Sequence, residues 1–164
     1  MSTLLKHPIP PLYDVHSKIL ILGSFPSVKS REQMFFYGHP QNRFWRVLSK
    51  VFNCDLPTTV EEKKAFALSN GIALWDVIAS CDIEGSSDSS IKNVAANDIS
   101  VILNAASIQN IFVNGRTAEK FYNKYTKPMI GRDAVCLPST SPANAAWSLE
   151  RLTMAWQVIR KAEY

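Results

Sequence analysis

Lys18-Ile19-Leu20-Ile21-Leu22-Gly23-Ser24-Phe25-Pro26-Ser27 is the stretch that decides the fold. Its aliphatic run leaves no polar face, and a glycine stops it. A strand apolar on both faces suits a parallel sheet covered by helices on each side. Outward from it, Phe44, Val47, Leu48 and Val51 recur at i, i+3, i+4 and i+7. That period predicts a helix over 40–52, with Pro40 tolerated in its first turn. Thr59 and Glu62 have capping-box spacing and Asn70-Gly71 supplies a stop, so 60–69 is a second helix. Residues 72–78 read as a strand, 97–106 as a helix and 110–115 as a strand closed by its glycine. A helix over 116–125, a strand over 134–137 and a helix over 148–162 complete the chain. The alternation predicts an α/β fold of three layers, α-β-α, around a central, mostly parallel sheet of four or five strands. Function in such a sheet gathers past the carboxyl ends of its strands. Those segments are 23–42, 76–93, 114–116 and 138–144. The proline-rich start, 1–17, is expected to wrap the surface.

The chain has 164 residues, 46% hydrophobic and 20% charged. These values fit one globular domain spanning 1–164 and argue against disorder. No apolar run is long enough to span a bilayer, and the N-terminus lacks a signal-length apolar core. A cytoplasmic monomer is expected. Cys54, Cys81 and Cys136 are widely spaced, which excludes a cysteine-only zinc site or four-cysteine iron–sulfur cluster and reads as three reduced, buried thiols. The formal charge of +4 is compatible with a polyanionic partner.

Two segments carry chemistry. Around the Gly38-His39-Pro40 turn, Phe35, Phe36, Tyr37, Phe44 and Trp45 stand among Gln41, Asn42 and Arg43. Stacking surface beside hydrogen-bonding groups suits an unpaired base; an aromatic mini-core under the loop is the competing reading. After the strand at 134–137, Pro138-Ser139-Thr140-Ser141-Pro142-Ala143-Asn144 offers small hydroxyls and backbone N–H groups. These suit phosphate oxygens, or equally a turn that caps a helix. His39 is either a shaping residue of its turn or an acid/base group.

Gly23-Ser24-Phe25-Pro26-Ser27 together with Gly38-His39-Pro40-Gln41-Asn42-Arg43-Phe44-Trp45 resembles the first active-site motif of the mismatch-specific branch of the uracil-DNA glycosylase superfamily. Residues 138–144, with Ser148 to Leu152 behind them, resemble its minor-groove motif; 71–76 resembles its base-reading strand, and 111–115 its glycine-ended fourth segment. The likeness runs in order from Lys18 to about Ile159. Two departures stand out. Phe25 occupies the place of that branch's water-positioning Asn, and Ser139 stands where a His or Asn is common. Asn42 remains, and a catalytic Asn there marks the hypoxanthine-DNA glycosylase, or DNA-deoxyinosine glycosylase, branch.

The resemblance implies a uracil-DNA glycosylase-like fold and hydrolysis of the N-glycosidic bond of a deaminated base in DNA, hypoxanthine foremost and uracil besides. Asn42 is then the catalytic residue. Gly23, Ser24, Phe25, Tyr37, His39 and Asp76 surround the base, with Tyr37 stacking on it and Asp76 accepting a purine N–H. Ser89, Lys92, Asn93, Ser139, Ser141, Ala143 and Asn144 meet the DNA, Ser90 flanking them. No Lys is indicated as a nucleophile, so hydrolysis without strand cleavage is expected, with no cofactor and no metal. Two rivals compete with this reading. A serine hydrolase would use Ser24 or Ser141 with His39, but no Gly-x-Ser-x-Gly elbow is present. An inactive nucleic-acid-binding module of the same fold would explain the two replaced catalytic positions.

Overall fold

The computed structural model describes residues 4–84 and 90–161. In chain order the elements are β1 (Leu4–Lys6), β2 (Ile19–Gly23), α1 (Val28–Gln33), α2 (Phe44–Val51), α3 (Val60–Ser69), β3 (Ile72–Asp76), β4 (Ile78–Asp82) and β5 (Lys92–Ala96). Then come α4 (Ser100–Ala105), β6 (Asn110–Asn114), α5 (Arg116–Phe121), a π-helical turn at Tyr122–Thr126, α6 (Lys127–Ile130), β7 (Val135–Leu137), α7 (Leu149–Trp156) and α8 (Val158–Lys161).

Strand β2 is buried along its whole length, as its unbroken apolar run requires. It lies in a four-stranded sheet of order β3-β2-β6-β7, every pair parallel. Successive strand side chains point to opposite faces, so Ile19 and Ile21 enter one apolar cluster and Leu20 and Leu22 the other. The first cluster is closed by Phe44, Val47 and Leu48 of α2, Phe66 of α3, and Leu152 and Trp156 of α7. The second is closed by Ile102 of α4 and Ala118 and Phe121 of α5. Three layers result, with the parallel sheet in the middle. Fully burying one such aliphatic side chain is worth roughly 1.5–3 kcal/mol, and β2, like β3 and β6, contributes to both halves of the core.

Three expectations are corrected. The strand expected over 72–78 is two strands in different sheets. At Val77 the chain leaves the parallel sheet, donating its N–H to Gly23 (2.9 Å), and Ile78 begins β4. Strand β4 is the centre of a second, antiparallel sheet of order β1-β4-β5. Secondly, the start of the chain does more than wrap. Strand β1 pairs with β4, Leu12 bridges to Leu74, and Ile9 is buried in the first cluster. Thirdly, Cys54 is exposed, in the turn after α2 where Asn53 takes a positive φ; Cys81 is buried and Cys136 half-buried. Among the described residues no helix is long and apolar enough to cross a membrane.

Candidate active site

Beyond the carboxyl ends of β2, β3 and β6 lies a cavity of about 480 Å³. That size is ordinary for a small-molecule site. Gly23 and Asp76 are register partners at the ends of β2 and β3. A Cβ on Gly23 would lie 2.4 Å from Asp76 Oδ1 and 3.1 Å from the Tyr37 hydroxyl, so only glycine leaves room for both groups.

Asp76 is buried, and its Oδ2 accepts from His7 Nε2 at 2.7 Å. His7 Nδ1 in turn accepts the backbone N–H of Ile9 (3.2 Å). Tyr37 has φ 55°, and its ring stacks on Phe44 with centroids 3.8 Å apart. Its buried hydroxyl stays a phenol: burial, and then the Asp76 carboxylate, drive its pKa far above the ordinary tyrosine value, while the neighbouring Asn114 amide opposes them and loses.

At the other side a directed chain of hydrogen bonds fixes Asn42. Thr140 N–H donates to Asn114 Oδ1 (3.1 Å), which identifies the oxygen of that amide. Asn114 Nδ2 donates to Thr140 Oγ1 (3.0 Å), and Thr140 Oγ1 donates to Asn42 Oδ1 (2.9 Å). Phe44 N–H, in the first turn of α2, also donates to Asn42 Oδ1 (2.9 Å). Helix α2 therefore begins at Phe44 rather than at 40. With its oxygen taken twice, Asn42 has only its Nδ2 to offer, and that group has no protein partner among the described residues. Asn42 lines the cavity as a hydrogen-bond donor.

Gly23, Ser24, Phe25, Tyr37, His39, Asn42, Asp76, Ser139, Ser141 and Ala143 all line this cavity. Asn144 lines a neighbouring cleft that shares Ser139, Ser141 and Ala143. Lys92 and Asn93 stand apart on β5, where Asn93 donates to Asp82 (2.6 Å). Ser89 lies outside the described residues. Ser139, Ser141 and Asn144 spend bonds on their own loop: Ser141 N–H donates to Ser139 Oγ, Ala143 N–H to Ser141 Oγ, and Asn144 Nδ2 to Ser139 O. His39 Nδ1 accepts the Gln41 N–H, and no described carboxylate bonds to this ring; Asp76 is engaged by His7 instead. A Ser–His–acid relay through His39 is therefore not assembled.

Sequence reading missed four contributors. His7 reaches the site across 69 positions, with no periodicity to mark it. Thr140, wholly buried, and Asn114 look like turn and strand-end residues until the chain of bonds joins them. Arg43 sits inside the quoted motif. Its guanidinium donates to the carbonyls of Ser141 (2.9 Å), Asn144 (3.0 Å) and Trp147, and so pins the loop over 139–147. Among the described residues no three His, Cys, Asp or Glu side chains group as a metal site.

Known proteins resemble the chain over nearly its whole length. A Methanosarcina acetivorans protein named hypoxanthine DNA glycosylase is 35% identical over 158 residues, spanning 95% of this chain and 98% of the relative. Its Methanosarcina barkeri namesake is 34% identical over 153 residues, spanning 92% and 95%. The solution NMR structure of a Methanosarcina acetivorans protein superposes with a TM-score of 0.82 at 33% identity, covering 99% of this chain and all of that one. The family model described as the uracil DNA glycosylase superfamily matches residues 10–163. By sequence and by fold, the chain belongs to the uracil DNA glycosylase superfamily.

Proposed function

We propose that this protein is a monofunctional DNA glycosylase that hydrolyses the N-glycosidic bond of deoxyinosine and releases hypoxanthine. The observation that carries the reading is the arrangement of the cavity: a donor-only amide at Asn42 faces a space walled by Tyr37 and by the acceptor Asp76. The two relatives named hypoxanthine DNA glycosylase support it.

The chemistry follows from the groups present. As the glycosidic bond breaks, its electron pair leaves with the base and positive charge grows on the sugar. The flipped base enters beside Tyr37, and Asp76 Oδ1 accepts a ring N–H. Asn42 Nδ2 donates, either to the oxygen of the attacking water or to an acceptor nitrogen of the departing purine. Because Thr140 and Phe44 already hold its oxygen, this donor is set before the reaction begins, which is what makes such a group effective. Ser139, Ser141, Ala143 and Asn144 present the loop that meets the duplex at the gap left by the flipped base. Lys92 and Asn93 on β5 approach the backbone phosphates.

Incubation with duplexes carrying a single deoxyinosine, deoxyuridine or deoxyxanthosine, followed by alkali, tests the reading. Strand scission after alkali alone is expected, fastest at deoxyinosine. If uracil opposite guanine is released at least as fast, the preference for hypoxanthine is wrong. If no base is released from any duplex, the glycosylase reading itself fails.

A further inference from the structure

His7 belongs to none of the segments expected to carry chemistry, yet its side chain is only 3% exposed and touches the base-facing carboxylate. Strand β1 delivers it: Lys6 pairs with Ser80, and His7 N–H donates to Ala79 O at 2.7 Å. Pro8 then turns the chain so that Ile9 N–H donates back to His7 Nδ1, while Ile9 O accepts the Trp75 indole N–H at 3.2 Å. Phe25, Phe36 and Trp75 enclose the ring, with centroids 5.9, 6.4 and 6.4 Å away. The ring can neither rotate nor exchange its nitrogens without leaving the Ile9 N–H unpaired.

A backbone N–H can only donate, so Nδ1 is the acceptor nitrogen. The proton of the neutral ring is then on Nε2, which must be the donor to Asp76 Oδ2. A histidine of the opposite tautomer would accept there and require a proton on Asp76. We infer that His7 is a positioning residue for base choice: its locked Nε2–H holds Asp76 as a pure hydrogen-bond acceptor, so the cavity takes a purine carrying a proton on N1 and refuses adenine. This rests on the glycosylase reading above.

The discrimination follows from the bases. Hypoxanthine presents an N1–H, which Asp76 Oδ1 accepts. Adenine presents a lone pair at N1, which faces the carboxylate oxygen with no proton between them. A protonated Asp76 would reverse the preference by donating to adenine N1, and the enzyme would then attack an undamaged base. A site built to hydrogen-bond one group rejects an analogue lacking it far more strongly than a mere difference in shape could.

The test measures single-turnover base release from single-stranded oligonucleotides carrying one deoxyinosine or one deoxynebularine, whose purine has the N1 lone pair and nothing at C6. His7→Phe keeps a ring in the aromatic enclosure and removes the donor; His7→Gln offers an N–H in its place. For folded His7→Phe, the inosine-to-nebularine rate ratio is expected to fall about 10- to 100-fold, the scale of one hydrogen bond to a charged group. His7→Gln should recover part of that ratio, which a purely structural role would not produce. An unchanged ratio in folded His7→Phe overturns the inference.

A second readout needs no activity. The 15N spectrum of the wild-type His7 ring should show a protonated Nε2 and an unprotonated Nδ1. A proton on Nδ1 overturns the inference, and this spectrum decides the matter if His7→Phe does not fold. Should the wild type release no base at all, the glycosylase reading fails and the base-choice role falls with it, while the spectrum still judges the His7–Asp76 arrangement separately.

Discussion

Asn42 can act only through its Nδ2, because Thr140 and Phe44 have taken its oxygen. Losing one positioned donor of this kind costs ~3–4 kcal/mol of barrier, or about 100- to 1,000-fold. Asn42→Ala should therefore slow single-turnover release by that factor with DNA affinity retained, whereas Phe25→Asn should leave activity in place. A normal rate in Asn42→Ala would remove Asn42 from the mechanism. Thr140→Val keeps the shape of a wholly buried residue and deletes the hydroxyl that steers Asn42. About 1–1.5 kcal/mol for a neutral hydrogen bond predicts a roughly tenfold slower chemical step and an almost unchanged KM. That Asn42 lies at the cavity was legible in the sequence, through the motif that contains it. The direction of its amide was not, since that depends on a threonine 98 positions away.

The loop over 139–147 is held by hydrogen bonds of its own and by Arg43. Its serines and Asn144 bond inward, and Arg43 reaches across to three of its carbonyls. Arg43→Lys replaces a planar fork by a point charge that cannot serve three acceptors at once. With hydrogen bonds to charged groups worth ~1.5–3 kcal/mol each, the urea midpoint should drop clearly, and release from duplexes should slow. The tip of this loop, Ala143-Asn144, carries no large apolar wedge to fill the stack. Unstacking costs a few kcal/mol and costs least where the base is mismatched or single-stranded. Inosine in unstable pairs or single strands should therefore be released faster than inosine paired with cytosine. Ala143→Leu should raise the rate on the stable pair more than on single strands. Equal wild-type rates in both contexts, with no selective gain in the variant, would show that this loop does not limit flipping.

For the whole molecule, the parallel sheet was legible and the antiparallel one was not. Strands β2, β3 and β6 are short apolar runs bounded by turn residues, which is the pattern of buried parallel strands. Strand β4 follows β3 with no turn signal between them, β1 has three residues, and β5 is largely exposed Lys-Asn-Val-Ala-Ala. Nothing in those residues announces a second sheet, so the route that brings His7 to Asp76 was hidden with it. The fold also sets an alkaline limit. Burial, opposed by Arg132 and helped by Asp133, pushes the Tyr122 phenol up to about 12, and Tyr37 is raised further. Both pKa values lie above the ordinary ~10 of an unfolded tyrosine. The unfolded chain then binds fewer protons than the folded one above that pH, and stability falls as pH rises. The contribution of Tyr122 is intact below ~10 and is lost as pH rises through about 12. Urea unfolding between pH 9 and 11.5 should show this fall, and Tyr122→Phe should flatten it; parallel curves for the two proteins would refute the assignment. Hydrolytic release of hypoxanthine in this cavity is open to one single-turnover measurement. An inosine-containing oligonucleotide is incubated in 18O-labelled water, and mass spectrometry follows the free base and the abasic sugar. Hydrolysis in this cavity predicts free hypoxanthine and an equal amount of sugar labelled at C1′, both reduced at least ~100-fold in Asn42→Ala. No free hypoxanthine from the wild type, or equal release by Asn42→Ala, would contradict it.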